Sequence, residues 1–447
     1  MNKLNKTKII TVAFLIMLIC GLVCAYYLLT KPIPKVEATP PKENPTITTP
    51  PSNIENVVYR TDDRLANKTT EGLNFVQSLG GGANDQNCKT YILPDENKGK
   101  ALYLIGNTSS NSNDFNATQS TVYIAKSTLD GTIFKSMAHK SSLTCAYIDS
   151  CVTSKGILIL VKTNKGLELL NYNLQLNLIN FTEFNNCFSG KIFYDTAQEK
   201  VFIATINVKT VQFASYDSNI KIKEFSKNIE FDKTPEIKNF TNLGSNNTVA
   251  FIDFNDSYCK IVLKNNLEIL NNENFSAKLN SVKISNNFYF VVTEKSNKTV
   301  LDKYLFNHNL VNTYKQDVVL ENFFILKDYA VTLNSRENKN FNTYICSCGY
   351  FYPNNSFDFL YDYNILHTYL QDENFFVLAT KNDNLFLIKI NNNTSLTKKI
   401  AAINTTAQNS AEILYYNDSY YIVFNNTIFN EIASFGGSDT FIVNVNF

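Results

Sequence analysis

ILPDENKGKALYLI, Ile92–Ile105, decides the fold: an apolar run, a polar turn carrying Asp95, then a second apolar run. The phrase recurs as AYIDSCVTSKGILIL from Ala146, IFYDTAQEKVFIA from Ile192, NLGSNNTVAFI from Asn242 and VKISNNFYFVV from Val282. It returns as FILKDYAVTL from Phe324, TYLQDENFFVLA from Thr368 and ILYYNDSYYIV from Ile413. The second runs begin near Ala101, Ile157, Lys200, Thr248, Phe288, Tyr329, Phe375 and Tyr420. Their period of about 46 residues falls in the range of propeller blades.

Working outward, each unit continues into a third apolar strand and a polar turn. Examples are TVYIAKSTLDG from Thr121, ELLNYNLQ from Glu168, QFASYDSN from Gln212, KIVLKNN from Lys260 and KYLFNHN from Lys303. Asp130, Asn173, Asp217, Asn265 and Asn307 keep this period, and Asp and Asn suit turns because they bond the local backbone and tolerate left-handed geometry. A fourth strand follows, as in TIFKSM from Thr132. Four strands rich in Val, Ile, Tyr and Phe make an antiparallel blade. Sheets in an open row would leave sticky edges, and a ring removes them. The last unit ends at Phe447 one strand short, while a spare strand, Asn74–Leu79, precedes the first. That spare strand is expected to pair with Thr440–Phe447 and lock the ring. The fold class expected is all-β, an eight-bladed β-propeller, with seven blades the alternative.

FVQSLGGGANDQN at Phe75–Asn87 and FGGSDTFIVNVN at Phe435–Asn446 resemble the LGGSGND-type turn and GGSDAFV-type strand of bacterial surface propeller repeats. The resemblance covers the two ends only. It implies a surface propeller, in a group usually of seven blades, and carries no catalytic residues.

Ile9–Leu29 is a continuous apolar run behind Lys3, Lys6 and Lys8, long enough at roughly 20 residues to cross a bilayer. The basic flank places residues 1–8 in the cytoplasm and the rest outside. Cleavage after Ala25 would instead give a secreted chain; the apolar Tyr26–Leu29 beyond that site favours an uncleaved anchor. Residues 30–56 hold seven of the ten prolines and read as an extended, semi-stiff spacer. The propeller ectodomain is then 57–447.

A net charge of +1 with balanced signs excludes an electrostatic footprint for nucleic acid. Of nine cysteines, two lie in the apolar run, and the odd seven beyond it cannot all pair with one another. Cys145 and Cys151 could bridge around a hairpin, but most read as small buried core residues. His139, His308 and His367 do not cluster in sequence and read as surface or core residues. No phosphate loop or hydrolase motif is present, and neither cofactor nor metal is expected. Asp95, Asp149, Asp195, Asp328, Asp372 and Asp418 repeat once per unit, which argues for turn capping rather than paired acid–base chemistry.

Irregular loops say more than the repeats, since function sits in loops added to a scaffold. The connections Asn107–Ser120, Asn426–Thr440 and Gly80–Asn87 are expected to meet on one face at the closure point. They carry Asp85, Asn107, Asp114, Phe115, Phe429, Glu431, Phe435 and Asp439, a mixture of polar groups and exposed aromatics suited to binding. The reading is a membrane-anchored extracellular propeller that binds protein or cell-wall glycan. A carbohydrate-active hydrolase or lyase is the alternative, and the non-enzymatic reading is preferred.

Overall fold

The first strands of the repeats are Asp85–Pro94, Cys145–Val152, Ser189–Asp195, Glu236–Asn242, Lys278–Ile284, Leu320–Leu326, Asn364–Gln371 and Ala411–Tyr416. Each pairs antiparallel with the second apolar run of its phrase: Lys100–Thr108, Gly156–Thr163, Lys200–Asn207, Asn247–Asp253, Phe288–Lys295, Tyr329–Ser335, Asn374–Lys381 and Ser419–Asn426. The computed structural model describes residues 47–48, 58–60 and 73–447, apart from 96–98, 132–133, 245–246, 285–287, 318, 327–328, 336–341, 348–349, 357–362, 372–373, 392–393, 405–410, 431 and 435–436. All of them belong to the unit Pro45–Phe447. The expected membrane span 9–29 lies outside them; among the described residues no helix is long and apolar enough to cross a membrane.

The second strands are apolar on both faces, and this packs the sheets into a series. Ile157, Ile159 and Val161 point toward the first repeat and meet Tyr103 and Ile105. Leu158 and Leu160, one residue out of phase, meet Val201 and Ile203 of the third. The third repeat packs on the fourth through Phe202 and Ala250, and the fourth on the fifth through Phe251 and Tyr289. Phe376 and Leu378 of the seventh meet Ile422 and Phe424 of the last. The series closes where Val423 and Ile442 pack on Leu102 and Leu104 of the first. Each such side chain taken from water contributes roughly 1.5–3 kcal/mol. The outermost strands lack this partner: Lys223–Glu230 is exposed along nearly its whole length.

Closure follows the sequence expectation. Leu73–Leu79 is the fourth strand of the last sheet, with Val76 opposite Val443 and Leu79 opposite Thr440. The number of sheets does not follow it. Setting aside one two-stranded hairpin, the described strands form seven sheets, not eight separate ones. Two meanders, Lys278–Gln316 and Leu320–Ser356, share a single eight-stranded sheet, because their outer strands meet at the parallel bridge Lys315↔Tyr350. The expectation of eight separate blades is corrected accordingly.

Two further features are local. Ile47–Thr48, inside the segment expected to be a spacer, pairs with Phe181–Thr182, and Val58–Arg60 pairs with Phe134–Ser136. The third turns also differ in detail. Asn173 and Asp217 cap the backbone as expected, Asn173 accepting from Gln175 and Asn177 at 3.0 and 2.9 Å. The left-handed residues, however, are Leu176, Ile220, Leu267 and His308, with φ of 68°, 56°, 64° and 68°. The three aliphatic ones are fully buried, so core packing holds a conformation that an L-residue otherwise avoids.

Candidate functional site

The three enlarged loops do meet at the closure point, and they bind one another. Asp85 is fully buried; its carboxylate accepts hydrogen bonds from Gly81 N at 2.7 Å, Thr108 Oγ1 at 2.5 Å and Ser110 Oγ at 2.8 Å. Its own N–H donates to Ser438 O at 2.7 Å, linking the first repeat to the last. Asp114 Oδ2 accepts from Gly80 N at 2.9 Å, and Ser438 N donates to Asn84 Oδ1 at 3.0 Å. Asp439 is buried beside Gly80. Burial pushes the Asp85 carboxyl up to about 6, although the three donors pull it down.

Phe115 and Phe429 are core residues, which corrects the expectation of exposed aromatics there. Phe115 packs on Tyr123 with ring centroids 4.7 Å apart, and Phe429 stacks on Phe441 at 5.5 Å. Asn107 is half-buried and accepts from Tyr147 N at 2.8 Å, tying the first repeat to the second. Glu431 and Phe435 lie outside the described residues. The polar groups of this face are thus turned inward as a clasp.

A second constellation lies on the first strands. Lys89, Asp149, Lys191, Asn239, Ser281, His367 and Glu412 stand opposite Ile105, Leu160, Ala204, Phe251, Val292, Leu378 and Val423 respectively. These partners occupy the same rung of the second strands in seven of the eight repeats, all but the sixth, so in each of the seven one polar residue sits at one height of the ring. Five of the seven directly follow a one-residue bulge, at Cys88, Ile148, Lys238, Asn280 and Leu366. A bulge of this kind twists a strand and re-aims the next side chain.

Neighbours in this collar are paired by charge. Lys89 Nζ lies 2.8 Å from Glu412 Oε1, and Lys191 Nζ lies 3.9 Å from Asp149 Oδ2. Asp149 also accepts from Ile192 N of the next sheet at 3.1 Å. It therefore sits within a strand and bridges two repeats, whereas Asp195 caps its turn as expected, accepting from Ala197 N at 2.9 Å. Burial holds the Asp149 carboxyl above its ordinary range, against the pull of Lys191 and its backbone donors. His367 is pushed down by burial, with Lys89 and Lys283 adding to the effect against the pull of Glu412. Tyr91 OH donates to Ser150 O at 2.9 Å and joins the first and second repeats beside them.

Between the seventh, last and first repeats the collar opens into a cavity of about 280 Å3, bordered by Lys89, His367, Tyr369, Glu412, Leu414 and Tyr415. Two buried atoms there, His367 Nδ1 and Glu412 Oε2, have no hydrogen-bond partner. His139 and His308 are occupied elsewhere: His139 Nδ1 meets Tyr172 OH at 2.7 Å and His308 Nδ1 meets Tyr289 OH at 3.1 Å. Among the described residues, Cys88, Cys145, Cys151, Cys187 and Cys259 are free thiols, and Cys145 and Cys151 share one strand rather than bridging a hairpin. No group of three or more His, Cys, Asp or Glu side chains among the described residues is placed to hold a metal ion.

Sequence reading missed the collar. Its signal is one polar residue among several in a first strand, and in five of the seven a bulge shifts that residue's position in the count.

No family model and no curated protein matches the chain, so the likeness of its two ends to surface propeller repeats has no family-level support. Among solved structures the chain is similar to BamB from Moraxella catarrhalis, with 9% identity, a TM-score of 0.45, and coverage of 80% of this chain and 99% of that one. It is also similar to the Dos1 propeller, with 10% identity, a TM-score of 0.52, and coverage of 83% of this chain and 96% of that one. At that identity the second likeness speaks to fold alone, and together with the sheet topology it establishes a β-propeller.

Proposed function

We propose that the chain is a membrane-anchored extracellular propeller that acts as a binding or scaffold module for a protein or a cell-wall glycan. Residues 1–8 form the cytoplasmic stub, 9–29 the anchor and 30–56 the spacer. The orientation rests on the lysines ahead of the apolar run. The observation that carries the binding role is the polar collar with its cavity. Its acids face lysines, an arrangement suited to holding a polar ligand.

The test uses the full-length chain on intact cells. A membrane-impermeant amine reagent should label lysines of 57–447. Material cross-linked to the wild type should be lost from Glu412→Gln. Protection of the lysines would overturn the orientation, and equal capture by both forms would overturn the collar as the contact.

A further inference from the structure

We infer that the outer edge of the third repeat, Lys223–Glu230, is a second interaction surface, apart from the collar. It takes an extended strand of a partner protein in which an acidic residue is flanked, two places away on either side, by branched apolar ones.

The edge is open. Lys223–Glu230 ends its four-stranded sheet, and among the described residues no strand lies beyond it. Every residue of it but Ile229 is exposed, and Phe225 is 40% exposed. Its backbone is set to pair. Phe231 N donates to Lys209 O at 3.0 Å, and the register runs unbroken from Thr210↔Glu230 to Ser215↔Phe225. Residues of an antiparallel pair alternate between bonding their partner twice and not at all. Ile229, Lys227 and Phe225 therefore bond inward, while Ser226, Asn228 and Glu230 turn N–H and C=O outward to water. The protein already uses such edges. Val58–Arg60 adds antiparallel to Phe134–Ser136 on the outer strand of the first repeat, and Ile47–Thr48 adds to Phe181–Thr182 on that of the second. The third repeat is next in the series and carries no such guest among the described residues.

Side chains define the guest. Val211 and Phe213 pack toward the fourth repeat, and residues directly opposite share a face. Ile229 and Lys227, and by alternation Phe225, therefore face the fourth repeat, with Ser226 and Asn228 on the other side. Glu224 is held by Lys200 Nζ at 2.6 Å, which leaves Lys227 as the charge between two apolar neighbours. An antiparallel guest meets Ile229, Lys227 and Phe225, in that order, with an apolar, an acidic and an apolar residue. Hydroxyl residues between them meet Asn228 and Ser226.

A second copy of the same edge fits worse. Outward-turned residues must face one another, so the twofold register that keeps Phe225–Ile229 paired throughout is centred on Lys227. It sets Lys227 against Lys227 and Glu224 against Glu230, and like charges directly opposite are destabilising. Lysine on an edge is a device against such self-pairing. The same lysine favours an acidic strand. The outer strand of the fourth repeat, Ile269–Phe275, is also an edge, but it offers Asn271, Asn272 and Asn274 in place of the apolar–basic–apolar row.

The experiment is fluorescence anisotropy and hydrogen exchange on the full-length chain in detergent. The probes are a fluorescein-labelled peptide Lys-Val-Thr-Glu-Thr-Val-Thr-Glu, the same peptide with lysine for both glutamates, and a form N-methylated at its threonines. The acidic peptide should saturate and slow the exchange of the Ser226, Asn228 and Glu230 amides. The lysine form should bind about tenfold or more weakly, and Lys227→Glu should weaken the acidic peptide by a similar factor. Methylation removes the N–H groups that pair and should abolish binding. Asn228→Pro, which removes an outward N–H and no bond to the sheet, should abolish it too, with the melting temperature little changed. Lys298→Ala, in the fifth repeat, should leave binding unchanged. Should Asn228→Pro fail to fold, Lys227→Glu and the methylated peptide still decide the matter. Failure of the acidic peptide to bind at millimolar concentration, or binding indifferent to charge and to methylation, would overturn the inference. So would a wild-type dimer that Asn228→Pro converts to a monomer, since the edge would then belong to a second copy.

Discussion

Asp85 shows how a single carboxylate can serve structure against its own solvation. Burial raises its folded pKa from 3.8 to about 6, so the folded state holds the proton more tightly than the unfolded chain does. The stability this proton confers is fully present below about pH 3.8 and is lost as pH rises through about 6. Its size is up to about 3 kcal/mol. The denaturant midpoint of the wild type, measured against Asp85→Asn, should therefore gain on acidification from pH 7 to pH 4. A difference that stays flat across that range would show that Asp85 does not titrate there. Gly80 belongs to the same clasp: a Cβ on it would lie 2.0 Å from Asp439 Oδ1. The Gly-Gly turn was visible in the sequence. What it approaches was not, because Gly80 and Asp439 come from opposite ends of the propeller.

At the scale of the element, the turn between third and fourth strands sets backbone strain against burial. Leu176 has φ of 68° and is wholly buried, bonding its N–H to Asn173 O at 3.0 Å. Left-handed geometry costs an L-residue roughly 1–2 kcal/mol, whereas truncating a buried Leu costs about 2–5. Packing wins, and Leu176→Gly should lower stability by about 1–3 kcal/mol despite relaxing the backbone. A thermal melt checks it; a stabilised variant would mean that strain is the larger effect. Gly131 occupies the equivalent place in the first repeat, with φ of 73°, and shows that the turn itself accepts glycine. The sequence placed these turns correctly through Asn173 and Asp217. It misassigned the left-handed residue because the propensity of Asn and Asp for that geometry is local, while the burial of Leu176 is supplied by the neighbouring sheet.

For the whole molecule the decisive element is the closing strand. Leu73–Leu79 covers Asp439–Val445, and Val76 is fully buried among side chains of the last two repeats. Deleting 73–79 should expose an edge strand and leave a chain that dimerises or melts well below the wild type, read by size exclusion and calorimetry. A monomer of unchanged melting temperature would contradict the closed ring. The spare strand was legible because each repeat needs four strands and the last has three. The joining of Lys278–Gln316 to Leu320–Ser356 was not legible, because one parallel bridge between outer strands leaves no periodic trace.

The amino-acid order alone determined the strand period, the two-faced apolar second strands and the completion of the last sheet by the chain's early residues. These are properties of spacing and local hydrophobicity, and they hold whatever the repeats pack against. Tertiary structure decided the rest. It turned Asp85, Asp114 and Asp439 inward, buried Phe115 and Phe429, and set Lys89 beside Glu412 across 323 residues of chain. Such meetings depend on the angle between sheets and on bulges that shift a side chain by one place, and neither is written in any single repeat.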